Sequence, residues 1–153
     1  TIGSTDIGLC VIPTLGSKKD KDKLIQGLEE SLITGISVNS IPLDKSEIIK
    51  PINDRSPGLS GHSLVLPSLW ATLIVQRKWA IEQLWEAISF GPSKILNQPP
   101  ERLVTGTNRW LLFNPDKKWT QDLNNKALLA SPNQPLKRQH LLGIVEDCGL
   151  IEK

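Results

Sequence analysis

At 153 residues, 39% hydrophobic and 22% charged, the chain can bury a core and form one ordinary domain, which separates it from disordered proteins. Its 18 basic and 16 acidic residues leave a net charge of +2 and are interspersed, so composition makes no electrostatic case for nucleic acid. No apolar run approaches the ~20 residues that span a bilayer, and the first residues lack the charged and apolar regions of a signal peptide.

A cytoplasmic protein that engages neither nucleic acid nor membrane is therefore expected. Cys10 and Cys148 are too widely separated for a zinc motif or a small disulfide framework. The chain begins at Thr1 and contains no Met and no Tyr, yet five Trp. A piece of a longer product is expected.

In chain order, Ile7, Leu9, Val11 and Ile12 predict a short extended segment before Pro13. Ser17 is a candidate N-cap with Asp20 as its capping-box partner. The helix it opens is predicted over 18–31, with Leu24, Ile25, Leu28 and Leu32 on one face. Alternating signs from Lys18 to Lys23 give that helix a solvated side. Gly35-Ile36-Ser37-Val38 reads as a short strand, completing an αβ step of the kind that builds a parallel sheet.

Residues 44–57 read as a polar excursion. Helices are predicted over 63–76, with Pro67 near the start, and over 79–89, where Gly91-Pro92 interrupts before a turn at Ser93–Leu96. The pattern changes at Asn97-Gln98-Pro99-Pro100, which places a subdomain boundary at about residue 98. Beyond it, Trp110–Phe113 predicts a strand ending at an Asn114-Pro115 turn, and Gly143-Ile144-Val145 a last strand.

The strand at 35–38 empties into Asn39-Ser40-Ile41-Pro42, and the C-terminal end of a barrel strand is where a TIM-type enzyme places its chemistry. An amide and a hydroxyl cannot serve as a general base near neutral pH. Asp44, farther along, reads as a surface carboxylate. Gly58-Leu59-Ser60-Gly61-His62 lacks the final glycine of a nucleophile elbow. His62 and His140 are the only histidines, too scattered for a metal cluster, and a Ser60–His62 pair has no orienting acid. Trp70, Trp85, Trp110 and Trp119 read as core anchors, because a stacking platform would need a basic groove around them.

Six motifs in order carry a resemblance: Pro13-Thr14-Leu15-Gly16, Leu24-Ile25-Gln26-Gly27, Asn39-Ser40-Ile41-Pro42-Leu43, Ser56-Pro57-Gly58-Leu59-Ser60-Gly61, Gly91-Pro92-Ser93-Lys94-Ile95-Leu96 and Leu111-Leu112-Phe113-Asn114-Pro115. The series resembles the C-terminal part of a dihydroorotase of the amidohydrolase superfamily. It fits without a gap from Pro13 to Leu43 and covers about residues 10–115, while 116–153 match only loosely.

The resemblance implies an α/β fold. Residues 1–97 would supply the last strands and helices of a (β/α)8 barrel, and 98–153 the returning strands of a small β subdomain. It implies that Asn39 occupies the place of the family's catalytic, metal-binding Asp, and that Ser40 and Leu43 occupy its two histidine positions. Pro57, Gly58, Leu59 and Ser60 would be a remnant of the substrate loop, or simply a loop that sets the entry angle of the next helix. Ile12 and Gly16 stand where Asn and Arg are usual.

The family's zinc ligands belong mostly to its N-terminal half, so no retained catalytic residue, no metal site and no cofactor is expected in this chain. The implied setting is pyrimidine biosynthesis, with a catalytically inactive chain in a structural or partner-binding role. Expected partners are the rest of its own protein, a second copy, or aspartate carbamoyltransferase. Two alternatives stand beside it: a fragment of an active zinc-dependent dihydroorotase, and a small interaction module unrelated to pyrimidines. Leu24, Leu28, Ile36, Val38, Leu66, Leu69, Trp70 and Leu73 exceed what a few helices and one short strand can hide, so association is expected.

Overall fold

A computed structural model describes residues 11–99, 104–106, 109–120, 131–136 and 139–150. The extended segment expected at Ile7 and Leu9 lies outside them, as does Cys10. The chain divides into two compact units, each drawn from three stretches. One comprises Thr1–Leu15, Val38–Val65 and Lys118–Leu141, the other Gly16–Ser37, Leu66–Lys117 and Leu142–Lys153. Residue 98 falls inside the second.

Helix α1 (Lys18–Glu29) opens the second unit with the expected capping box. Asp20 accepts from the Ser17 amide and hydroxyl, both at 2.7 Å, and its own amide reaches Ser17 Oγ at 3.3 Å. The helix stops two residues short of the predicted end because Ser31 turns left-handed at φ 58°. There the amides of Leu32 and Ile33 both return to the Gly27 carbonyl.

Hydrogen bonds from the Ser17 side chain, then its backbone, hold the Asp20 carboxyl below the usual carboxylate range. Its contribution to stability is present above the unfolded value and fades as pH falls through the lowered folded one. Ser17→Ala should cost about 1 kcal/mol at neutral pH. Urea midpoints should show that difference shrinking on acidification; a difference that grew instead would remove the cap from this account.

Gly35–Val38 forms no strand, contrary to expectation. A strand needs a ladder, and the backbone bond here runs from the Ile36 amide to the Ala87 carbonyl of a helix, at 2.7 Å.

Two longer helical runs follow. Helix α3 (His62–Leu69) continues without a break into π-helical turns over Trp70–Gln76. Helix α4 (Ile81–Trp85) continues through π turns at Glu86–Phe90 into α5 (Gly91–Ile95). Gly91-Pro92 therefore does not interrupt the helix. Proline lacks an amide hydrogen and clashes with the carbonyl four residues back, and the wider π turn just before it relieves both demands.

The core of this unit gathers Ile25, Leu66, Leu73, Trp79, Leu84 and Ala87, with Leu28, Ile36, Leu69, Trp70 and Trp85 packed around them. Trp79 is buried and donates its indole N–H to Glu29 at 2.8 Å. Trp70 meets Phe113 at 5.2 Å between ring centroids, tilted by 56°. Trp110, expected as an anchor, is instead 40% exposed. Leu24 and Val38 also stay exposed, while Leu66 and Leu73 are buried.

Strands β1 (Arg109–Thr120) and β2 (His140–Leu150) form a two-stranded sheet. Contacts of Thr120 with His140 and of Asn114 with Glu146 fix an antiparallel register. Strand β1 runs straight through Asn114-Pro115, so the turn expected there does not form. A two-stranded sheet has only edge strands, and an edge strand tolerates a proline. The first unit holds helix α2 (Lys45–Ile48) and a 3₁₀ turn at Ile52–Asp54, within the stretch expected to be a polar excursion.

Candidate functional site

Ser40, Leu43 and the glycine loop lie in the first unit, where hydrogen bonds gather along the segment Asn39–Leu43. Two loops flank it. From the Pro57–Gly61 loop, the Leu59 carbonyl accepts from the Ile41 amide at 3.0 Å, and the Gly61 amide donates to Ser40 Oγ at 3.3 Å. Gly58 is required by close approach, since a Cβ there would lie 2.9 Å from the Ile41 carbonyl oxygen.

The second flank is the turn Ser131–Leu136. Asn133 Nδ2 donates to the Ile41 carbonyl at 2.8 Å, and Asn133 Oδ1 accepts from the Leu43 amide at 3.0 Å. Ser131 Oγ accepts from the same amide at 3.2 Å and lies 3.0 Å from the Leu43 carbonyl and 2.6 Å from Asn133 Oδ1. One hydroxyl proton serves only one of those two acceptors at a time. The Ser60 amide completes the network, donating to the Asn133 carbonyl at 3.4 Å. Asn133 is fully buried, and Ser131 and Ser60 nearly so.

Chemically this is a neutral arrangement. Asn39 is exposed, and among the described residues no hydrogen bond engages its carboxamide. Ser40 spends its oxygen on the Gly61 amide, one of the amides through which a glycine loop could otherwise receive an anion. Leu43 brings no polar side chain. Asp44 precedes α2 without capping it and is exposed.

The zinc that the resemblance carries does not fit these residues. A carboxamide and an engaged hydroxyl are poor donors beside carboxylate or imidazole. Among the described residues no three His, Cys, Asp or Glu side chains come together to hold a metal. His62 is exposed at the start of α3 while Ser60 is buried, and no hydrogen bond joins them among the described residues. His140 instead lies 3.0 Å from Thr120 Oγ1.

Hydrogen bonds thus join Ser40 to Gly61, Ile41 to Leu59, and Leu43 to Asn133, while the Asn39 side chain takes no part in them. Ser131 and Asn133 were missed. Their only signal is a Ser-Pro-Asn-Gln-Pro run that reads as a surface turn, and nothing local marks an asparagine as buried.

No protein-family model matches the chain. Individual proteins do. A Synechocystis sp. protein named as dihydroorotase-like is 32% identical over 71% of this chain and 23% of its own length. The dihydroorotase of Carboxydothermus hydrogenoformans is 28% identical over 90% of this chain and 32% of its own. A D-hydantoinase (dihydropyrimidinase) from Thermus sp. superposes with a TM-score of 0.76 at 12% identity, covering 94% of this chain and 32% of that one. The chain thus spans about a quarter to a third of the length of the relatives it matches. The chain is dihydroorotase-like: over most of its residues it is similar in sequence to proteins named dihydroorotase, and in fold it is similar to D-hydantoinases.

Proposed function

We propose that the chain is the C-terminal portion of a dihydroorotase-like barrel protein of pyrimidine biosynthesis, with a structural or partner-binding role and no catalysis of its own. The hydantoinase likeness supports the barrel, and the names of the relatives support the pathway. One observation carries the inactivity: the segment Asn39–Leu43 offers only Asn39, Ser40 and Leu43 at the positions that matter, and the Ser40 oxygen and the Leu43 amide are bonded within the unit. Ring opening of a cyclic amide needs a group that accepts and returns a proton, and none of these does so near neutral pH. The partners proposed are the remainder of the same protein, a second copy, or aspartate carbamoyltransferase.

Elemental analysis and a dihydroorotate ring-opening assay on the purified full-length protein test this reading. Zinc below one equivalent and turnover at background are expected. Stoichiometric zinc with turnover would make it an active enzyme with ligands supplied from outside this chain. Retention on immobilised aspartate carbamoyltransferase would support the partner role. Its absence from that column would shift the role away from pyrimidine synthesis.

A further inference from the structure

The chain commits two buried polar side chains to one short backbone edge. We propose that Ser131 and Asn133 are positioning residues: their side chains act as a surrogate strand for Ile41–Leu43 and fix that segment without metal or substrate. This goes beyond the catalytic reading and stands or falls separately from it.

The geometry is that of a β ladder with a side chain in place of a peptide. The Asn133 carboxamide presents a donor and an acceptor in the same sense as a backbone amide. It places them at 2.8 Å on the Ile41 carbonyl and 3.0 Å on the Leu43 amide. In an extended chain, residues two apart show their amides and carbonyls on one side. Along that side the Leu59 carbonyl takes the Ile41 amide, Asn133 takes the next pair, and Ser131 reaches the Leu43 carbonyl at 3.0 Å. The Asn133 backbone carbonyl also holds the Ser60 amide, so one residue ties the segment to the glycine loop.

Burial makes the arrangement costly to break. Asn133 is 0% exposed, and losing its carboxamide removes the donor to the Ile41 carbonyl and weakens the hold on the Leu43 amide, both part-buried contacts. At neutral pH an amide serves both contacts where an ionised carboxylate does not. An ionised carboxylate still accepts from Leu43 but sets an oxygen against the Ile41 carbonyl, whereas a protonated carboxyl can donate there. The titratable side chain nearest to Leu43 in sequence, Asp44, is exposed.

Hydrogen exchange on the full-length protein, read separately for 41–43 and for the core around Leu73 and Leu84, tests the assignment. Asn133→Ala should lower protection at 41–43 by about tenfold or more while leaving the core unchanged. Ser131→Ala should give a smaller loss at the same place. Asn133→Asp should lose protection there at neutral pH and regain it on acidification, once exchange is corrected for its intrinsic pH dependence. The sign follows from burial, which raises the introduced carboxyl's pKa, so the latch holds at low pH and fails as pH rises through that value. If Asn133→Ala does not fold, the Asp variant carries the test alone. Unchanged protection at 41–43 in the Asp variant at neutral pH, or a loss spread equally over the core, would overturn the proposal.

Discussion

Leu84→Ala is expected to destabilise the protein by about 2–5 kcal/mol, the range for removing a buried leucine. Leu84 is 0% exposed and belongs to the cluster of Ile25, Leu73, Trp79 and Ala87. Truncation deletes apolar surface and leaves a cavity that helical neighbours on fixed turns fill only in part. Leu24→Ala is the matched control: same chemistry, but 59% exposed, with an expected change of about 0.5 kcal/mol or less. Urea unfolding with an unchanged slope would assign the difference to the native core. Equal losses from the two variants would mean that burial does not distinguish these positions.

The contrast between these leucines shows how far periodicity alone could see. Leu24 and Ile25 are both apolar on helix α1, yet Ile25 is buried and Leu24 is not. The helices at 18–29, 62–76 and 81–95 were legible because capping at Ser17 and spaced leucines act within a few residues. Their continuity through Gly91-Pro92 was not, because a π turn is a backbone adjustment with no marker in composition. The strand expected at 35–38 failed for another reason. A strand is a statement about neighbours, and among the described residues no strand lies beside Ile36. That missing strand counts against the resemblance on sequence grounds, whereas the similarity to proteins named dihydroorotase supports it independently.

The candidate site divides in the same way. Asn39, Ser40, Leu43 and the glycine loop could be singled out because they fall in one ordered series of motifs. Asn133 lies 90 residues from Leu43, and its role depends on burial that no local pattern encodes. Contacts of that separation become visible only once the backbone is closed around them.

Gly91→Ala is expected to cost about 3 kcal/mol, the upper end for overpacking. The sign is diagnostic, because glycine to alanine inside a helix ordinarily gains up to ~1 kcal/mol from propensity. Here a Cβ would run into the Thr34 carbonyl oxygen and lie 2.8 Å from that of Glu86. Both obstacles are backbone, so neither can swing aside as a side-chain tip would. The segment they belong to is pinned nearby by the Ile36 amide on the Ala87 carbonyl at 2.7 Å, and a Cβ on Gly35 would sit 2.8 Å from the Pro92 ring. Helix and extended segment therefore approach through two glycines, and the turn at Gly91 must shift bodily to admit a methyl group. Gly106→Ala separates crowding from conformation. Its φ of +86° penalises any side chain, but nothing lies within 4 Å of the new atom, so about 1 kcal/mol is expected. Denaturation midpoints for the two variants decide between the mechanisms. A Gly91 variant as stable as the parent would show that the close approach of Thr34 to the helix is not a feature of the folded protein.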